Sequence, residues 1–169
     1  MKTKYLLLLL LMSLNGRIAL AQLRFKEFDV TSPVSVHMPV QSDSTNFKGG
    51  RYGISDLLKT QISMNFDELA HSRMIVDSSG FVRVPRIEEG AAFYLFSTNI
   101  RATRFMHATL KVSSSARFEV YVDGDMKQSS TSVPDTVSKI TPASVSLRME
   151  PQKDYRVVVK MMVMYDDKV

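Results

Sequence analysis

Ala116-Arg117-Phe118-Glu119-Val120-Tyr121-Val122-Asp123-Gly124-Asp125-Met126 is the stretch whose reading decides the fold. Ala116, Phe118, Val120 and Val122 alternate with Arg117, Glu119 and Tyr121, the period-2 pattern of a strand with one apolar and one largely polar face. Asp123-Gly124 follows at once, a pair that tolerates positive φ at both central positions of a type I′ turn, and the chain returns through Met126 toward Ser129. The stretch therefore reads as a β-hairpin. On this reading Val120→Asp puts an unpaired charge into the core and costs several kcal/mol. Glu119→Ala, on the opposite file, shifts stability by no more than about 0.5 kcal/mol.

Working outward, Val145, Leu147 and Met149 alternate with Ser146, Arg148 and Glu150, and Pro151-Gln152-Lys153-Asp154 leads into Tyr155 to Met164. This predicts a second hairpin. In its return strand Tyr155, Val157, Val159, Met161 and Val163 form one apolar file, opposed by Arg156 and Lys160 but also by Val158, Met162 and Met164. A strand apolar on both files is either covered on both faces or presents Val158, Met162 and Met164 to a partner. Phe93 to Phe96 and Met106, Ala108, Leu110, Val112 predict two more strands. Ile75-Val76 and Phe81 to Val84 predict a hairpin across Asp77-Ser78-Ser79-Gly80. Only Ile54 to Gln61, through Ile54, Leu57, Leu58 and Gln61, has helix-like spacing, for one or two turns at most, with a strand as the alternative. Turn-forming clusters at 41–45, 48–50, 88–90, 113–115 and 129–142 punctuate the rest. Short strands with frequent turns predict an all-β sandwich with at most one short helix.

The chain opens with Lys2 and Lys4, then the apolar run Tyr5 to Met12 with six consecutive leucines, then a more polar run to Ala19-Leu20-Ala21. That layout predicts a cleavable signal peptide over residues 1–21, with Ala19 and Ala21 as the small residues at the cleavage site and Gln22 as the new N-terminus. The run is shorter than the roughly 20 apolar residues of a spanning helix. Residues 22–169 are expected as one soluble β-sandwich domain in the periplasm or outside the cell, with no membrane attachment after cleavage. No cysteine occurs, which excludes a lipidated N-terminus, disulfides and thiolate metal sites. Losing Lys2, Lys4 and Arg17 from 22 basic residues leaves 19 against 17 acidic ones. Such a balance is no electrostatic footprint for nucleic acid.

No catalytic constellation stands out. His37, His71 and His107 lie more than 30 residues apart, without the short spacing of metal ligands. G-x-S-x-G is absent. Glu88-Glu89, Asp123/Asp125 and Asp166-Asp167 are paired carboxylates; directly adjacent residues in a strand point to opposite faces and cannot flank a substrate, and Asp123-Gly124-Asp125 is turn chemistry. Lys48-Gly49-Gly50-Arg51-Tyr52-Gly53 lacks the spacing of a phosphate loop. Arg101 and Arg104, with Tyr94 and Tyr121, could form a ligand-contacting surface of guanidinium over aromatic rings; cations that keep a strand edge soluble are the ordinary reading. Flat aromatic platforms for sugars favour Trp, and there is none. No cofactor is expected.

Thr109-Leu110-Lys111-Val112, Phe118 to Gly124, and Leu147-Arg148-Met149-Glu150-Pro151 followed by Asp154-Tyr155-Arg156-Val157 give the stretch Phe93 to Lys168 a resemblance to the galactose-binding-like jelly-roll domains. It looks in particular like the accessory domain at the N-terminus of large exported hydrolases of Bacteroidetes, which carry a propeller domain downstream. The resemblance implies a jelly-roll sandwich and a non-catalytic module that packs against or binds a partner domain or a ligand, with a downstream hydrolase or propeller as that partner. It carries over no residue-level activity. A free-standing secreted enzyme and a structural or adhesin-like surface subunit are the other readings.

Overall fold

The computed structural model describes residues 24–36, 45, 49–50, 53–134 and 139–165. The proposed leader with Ala19, Ala21 and Gln22, together with His37, Lys48, Arg51, Tyr52, Asp166 and Asp167, lies outside the described residues. The elements are β1 (Glu27–Thr31), β2 (Val34–Val36), α1 (Ile54–Leu58), β3 (His71–Ile75), β4 (Ala91–Arg101), β5 (Met106–Val112), β6 (Arg117–Val122), β7 (Asp125–Ser130), β8 (Ala143–Met149) and β9 (Asp154–Met164). A large sheet has the order β3-β1-β4-β9-β6-β7, with β2 also on β4, and a small sheet is formed by β5 and β8. All strand pairs are antiparallel. Among the described residues the chain is all-β, with two sheets and one short helix.

The deciding hairpin is present. Asp123 and Gly124 have φ of 52° and 85°, as a type I′ turn requires, and β6 pairs with β7 across them. The register slips by one residue between Val120 and Tyr121. Asp123 also docks the turn on β9, its N–H donating to Arg156 O at 2.9 Å and its Oδ1 accepting the Arg156 N–H at 2.8 Å.

The two sheets face each other across Phe118, Val120 and Val122 of β6, Tyr155 and Val157 of β9, and Val145, Leu147 and Met149 of β8. The second expected hairpin is corrected by this arrangement: β8 pairs with β5, and β9 with β4 and β6. Residues 150–153 arch from one sheet to the other, because the apolar files of β8 and β9 pack face to face instead of side by side. Tyr155 pins the arch, its hydroxyl accepting the Glu150 N–H at 2.9 Å. The Gln152 N–H donates to Ala102 O at 2.9 Å.

The hairpin across 77–80 is also corrected. Asp77 Oδ1 accepts the N–H groups of Ser79 and Phe81 at 2.9 and 3.0 Å, so the turn exists. Its first arm pairs with β1, and residues 81–87 form no strand, contributing Val84 and Ile87 as side chains against Val30 and Tyr94. Where the chain breaks between β1 and β2 at Ser32-Pro33, Thr31 Oγ1 accepts the Leu95 N–H at 3.0 Å in place of a ladder carbonyl.

The other face of the large sheet is covered by α1 and by residues 60–69. Leu57 and Leu58 bury against Phe93 and Met162, and Phe66 against Leu95 and Val158. Of the two readings of this strand, the one with both faces covered within the chain fits this packing. Val158 is 5% exposed and Met162 is 0% exposed, and Met164 is half-buried beside them. The segment carrying these covering side chains has too little periodicity to announce that it lies on a sheet.

Candidate functional site

The ionisable groups most removed from water meet on the covered face of the large sheet. Glu119 of β6 and Lys160 of β9 are register partners, and they are 3% and 1% exposed. Lys160 Nζ donates to Glu119 Oε2 at 3.1 Å, to Thr60 O at 2.7 Å and to Leu58 O. It also lies 4.5 Å from the centroid of the Phe93 ring. The Tyr121 hydroxyl, two residues along the same file, donates to the same Glu119 oxygen at 2.7 Å.

An ammonium has three protons and no acceptor, so Lys160 is saturated. Burial holds its pKa below the ordinary lysine value, opposed by the hydrogen bond and the negative charge of Glu119. Burial, and then the hydrogen bond and charge of Glu119, push the Tyr121 phenol up. The triad is a tie. It joins two strands to two backbone carbonyls of the segment that follows and includes α1, and its residues line neither of the two concavities described below. The expectation that Glu119 faces solvent is corrected: the polar file of β6 lies under α1 and residues 60–69.

Arg101, Arg104 and Tyr121 are not brought together. Arg101 Nε and Nη2 donate to Gln152 O at 3.2 and 3.0 Å, and Nε lies 3.4 Å from Asp154 Oδ1. On β9 the partner of Arg101 is Asp154 and that of Tyr121 is Val158, a separation of about 13 Å at the strand rise. Arg104 is exposed in the turn between β4 and β5. Tyr94 lies on the other face, its hydroxyl donating to Pro85 O at 2.9 Å. The Arg-over-aromatic surface is therefore not assembled, since Arg101 braces the β8–β9 arch and Tyr121 serves the buried triad.

His71 is exposed, with Nδ1 2.9 Å from Leu69 O, and His107 is exposed on the outer face of β5. Asp125 pairs with Lys127 at 3.0 Å. Among the described residues no three His, Asp or Glu side chains converge to hold a metal ion. Among the described residues two open concavities occur, one of about 310 Å³ on the outer face of the small sheet, lined by His107, Thr109, Ser146 and Arg148 among others, and one of about 200 Å³ between Ser114, Phe118, Ser130 and Lys139.

Sequence reasoning missed the Glu119–Lys160 pair. The available signal was a lone Glu and a lone Lys, each flanked on both sides by apolar residues in a strand, Phe118-Glu119-Val120 and Val159-Lys160-Met161. Comparison with known proteins finds no family model, no curated protein and no solved structure that matches the chain.

Proposed function

We propose that the chain is an exported, non-catalytic β-sandwich module of the galactose-binding-like jelly-roll kind, which packs against or binds a partner and serves a larger hydrolase. The observation that carries this reading is the nesting of the strand pairs. β4 pairs with β9 in one sheet, and the next strands inward, β5 and β8, pair in the other. A two-stranded ribbon rolled so that its halves fall in opposite sheets is the construction principle of a jelly roll. The engagement of Glu119, Lys160 and Tyr121 in a saturated tie supports a binding role over a chemical one. Lys2, Lys4, the leucine run and Ala19-Leu20-Ala21 support export.

The test has two parts. Expressed with its leader in a Gram-negative host, the protein should be recovered from periplasm or medium with Gln22 at its N-terminus, and an intact mass that retains Met1 would refute export. The purified chain should release no product from ester, amide or glycoside substrates, and a hydrolase should be encoded with it, in frame or adjacent. Hydrolysis by the chain alone would refute the module reading.

A further inference from the structure

Several cations on the strands of the large sheet have a partner close by. Arg73 lies 3.4 Å from Asp29 and 3.6 Å from Glu27, Arg101 pairs with Asp154 and Lys127 with Asp125, and Arg156 lies 5.2 Å from the centroid of the Phe66 ring. The small sheet differs. His107 and Lys111 of β5 and Arg148 of β8 project from its outer face, all exposed. His107 stands directly opposite Arg148, and Lys111 opposite Ser144. No ion pair joins any of the three to a described residue. Among the described residues, Glu150, beyond the end of β8, is the acidic neighbour on this face.

Among the described residues the same strand has an open edge. β5 pairs only with β8, over seven residues without a register shift, so half of its peptide groups point away from β8 toward no described strand. β7, by contrast, is blunted by its register slip. The inward file of β5 is covered on one side only: Ala108, Leu110 and Val112 are half-buried against the core, and Met106 is 43% exposed.

Resting on the reading of the chain as a packing module, the geometry points to the β5 edge as the docking site for an extended strand of a partner protein with alternating acidic and apolar residues. Its carboxylates would face His107 and Lys111, four residues apart, and its apolar side chains would lie beside Met106, Ala108, Leu110 and Val112. Strand addition of this kind draws affinity from main-chain hydrogen bonds and specificity from alternate side chains. The chain already uses the pattern internally, where Glu27-Phe28-Asp29-Val30 of β1 sets Asp29 directly opposite Arg73. A second copy of β5 is a poor occupant, because antiparallel self-pairing about Thr109 sets His107 against Lys111 and offers neither of them a carboxylate.

The probe is a labelled peptide, Thr-Val-Glu-Val-Thr-Val-Glu-Val-Thr, with a twin in which Lys replaces Glu, titrated into the purified protein at low salt by fluorescence anisotropy. The Glu peptide should bind saturably, protect β5 amides from hydrogen exchange and outcompete the Lys peptide. Lys111→Glu should weaken the Glu peptide by at least about fivefold and shift preference toward the Lys peptide, while Lys127→Glu on the β7 edge changes neither. Absence of saturable binding, or binding indifferent to Lys111→Glu, overturns the inference. So does a dimer whose β5 amides are protected without peptide, which would assign the edge to a second copy. A hydrolytically active chain refutes the module reading whatever β5 binds, whereas an unoccupied β5 edge refutes this inference alone.

Discussion

Removing the Glu119 carboxylate is the most informative perturbation of this fold. In Glu119→Leu the Lys160 ammonium, 1% exposed, keeps only the carbonyls of Leu58 and Thr60. At the 3.1 Å separation of the pair, an effective dielectric of about 20 gives a Coulomb attraction of about 5 kcal/mol. Breaking a buried pair by deleting one partner typically costs about 3–5 kcal/mol, and the orphaned Tyr121 hydroxyl adds about 1 kcal/mol. Glu119→Leu is therefore expected to destabilise by about 4 kcal/mol. The double variant Glu119→Leu/Lys160→Met removes both charges and leaves neutral orphans, so it should cost only about 2 kcal/mol. The assay is urea unfolding followed by two probes, arranged as a double-mutant cycle. The double variant should be more stable than Glu119→Leu alone. A Glu119→Leu effect below about 0.5 kcal/mol would place the carboxylate in water, and simple additivity of the two single changes would deny the pair; either result refutes the reasoning.

Three further outcomes are expected. Met162→Ala opens a cavity where the side chain is 0% exposed and should cost about 2–5 kcal/mol by urea unfolding; improved solubility with unchanged stability would show that this face is free after all. Gly124→Ala meets no heavy atom within 4 Å but must hold φ near +85°, so it should lower stability by about 1 kcal/mol, a loss that thermal unfolding will resolve. The raised Tyr121 phenol favours the folded state below the ordinary tyrosine value of 10.0, a contribution lost as pH rises beyond it; Tyr121→Phe should flatten the decline of stability above pH 10, with the raised Tyr94 sustaining part of it.

Local chemistry was legible in the sequence and long-range pairing was not. Asp123-Gly124 announced its turn because both central positions demand positive φ, a requirement few other dipeptides meet. The β8–β9 connection misled, because two apolar alternations joined by a short loop look alike whether the strands lie side by side or face to face. What separates the cases is the Gln152 bond to Ala102, a residue of another part of the chain. Glu119 looked solvated for a similar reason. Alternation tells that two faces differ, but the covering of the second face comes from Leu57, Leu58 and Phe66, whose own segment carries no strand or long-helix period. Lys160 could have been paired with Glu119 only by knowing that β6 and β9 are neighbours.

The position of β9 sets the order of events when the chain is made. It is the last strand described, yet it lies between β4 and β6 and supplies the ladder to both. Until residues 154–164 have left the ribosome, β4 lacks its longest partner, and β6 can pair only with β7. Ala91 waits for Met164, and Arg101 for Asp154. Pairings so distant in sequence close slowly, since the loop entropy falls due before any contact offsets it. Until β9 is available the large sheet stays divided into the β3-β1-β4 group with β2 and the β6–β7 hairpin, so the sheet is completed only after residue 164 has been made.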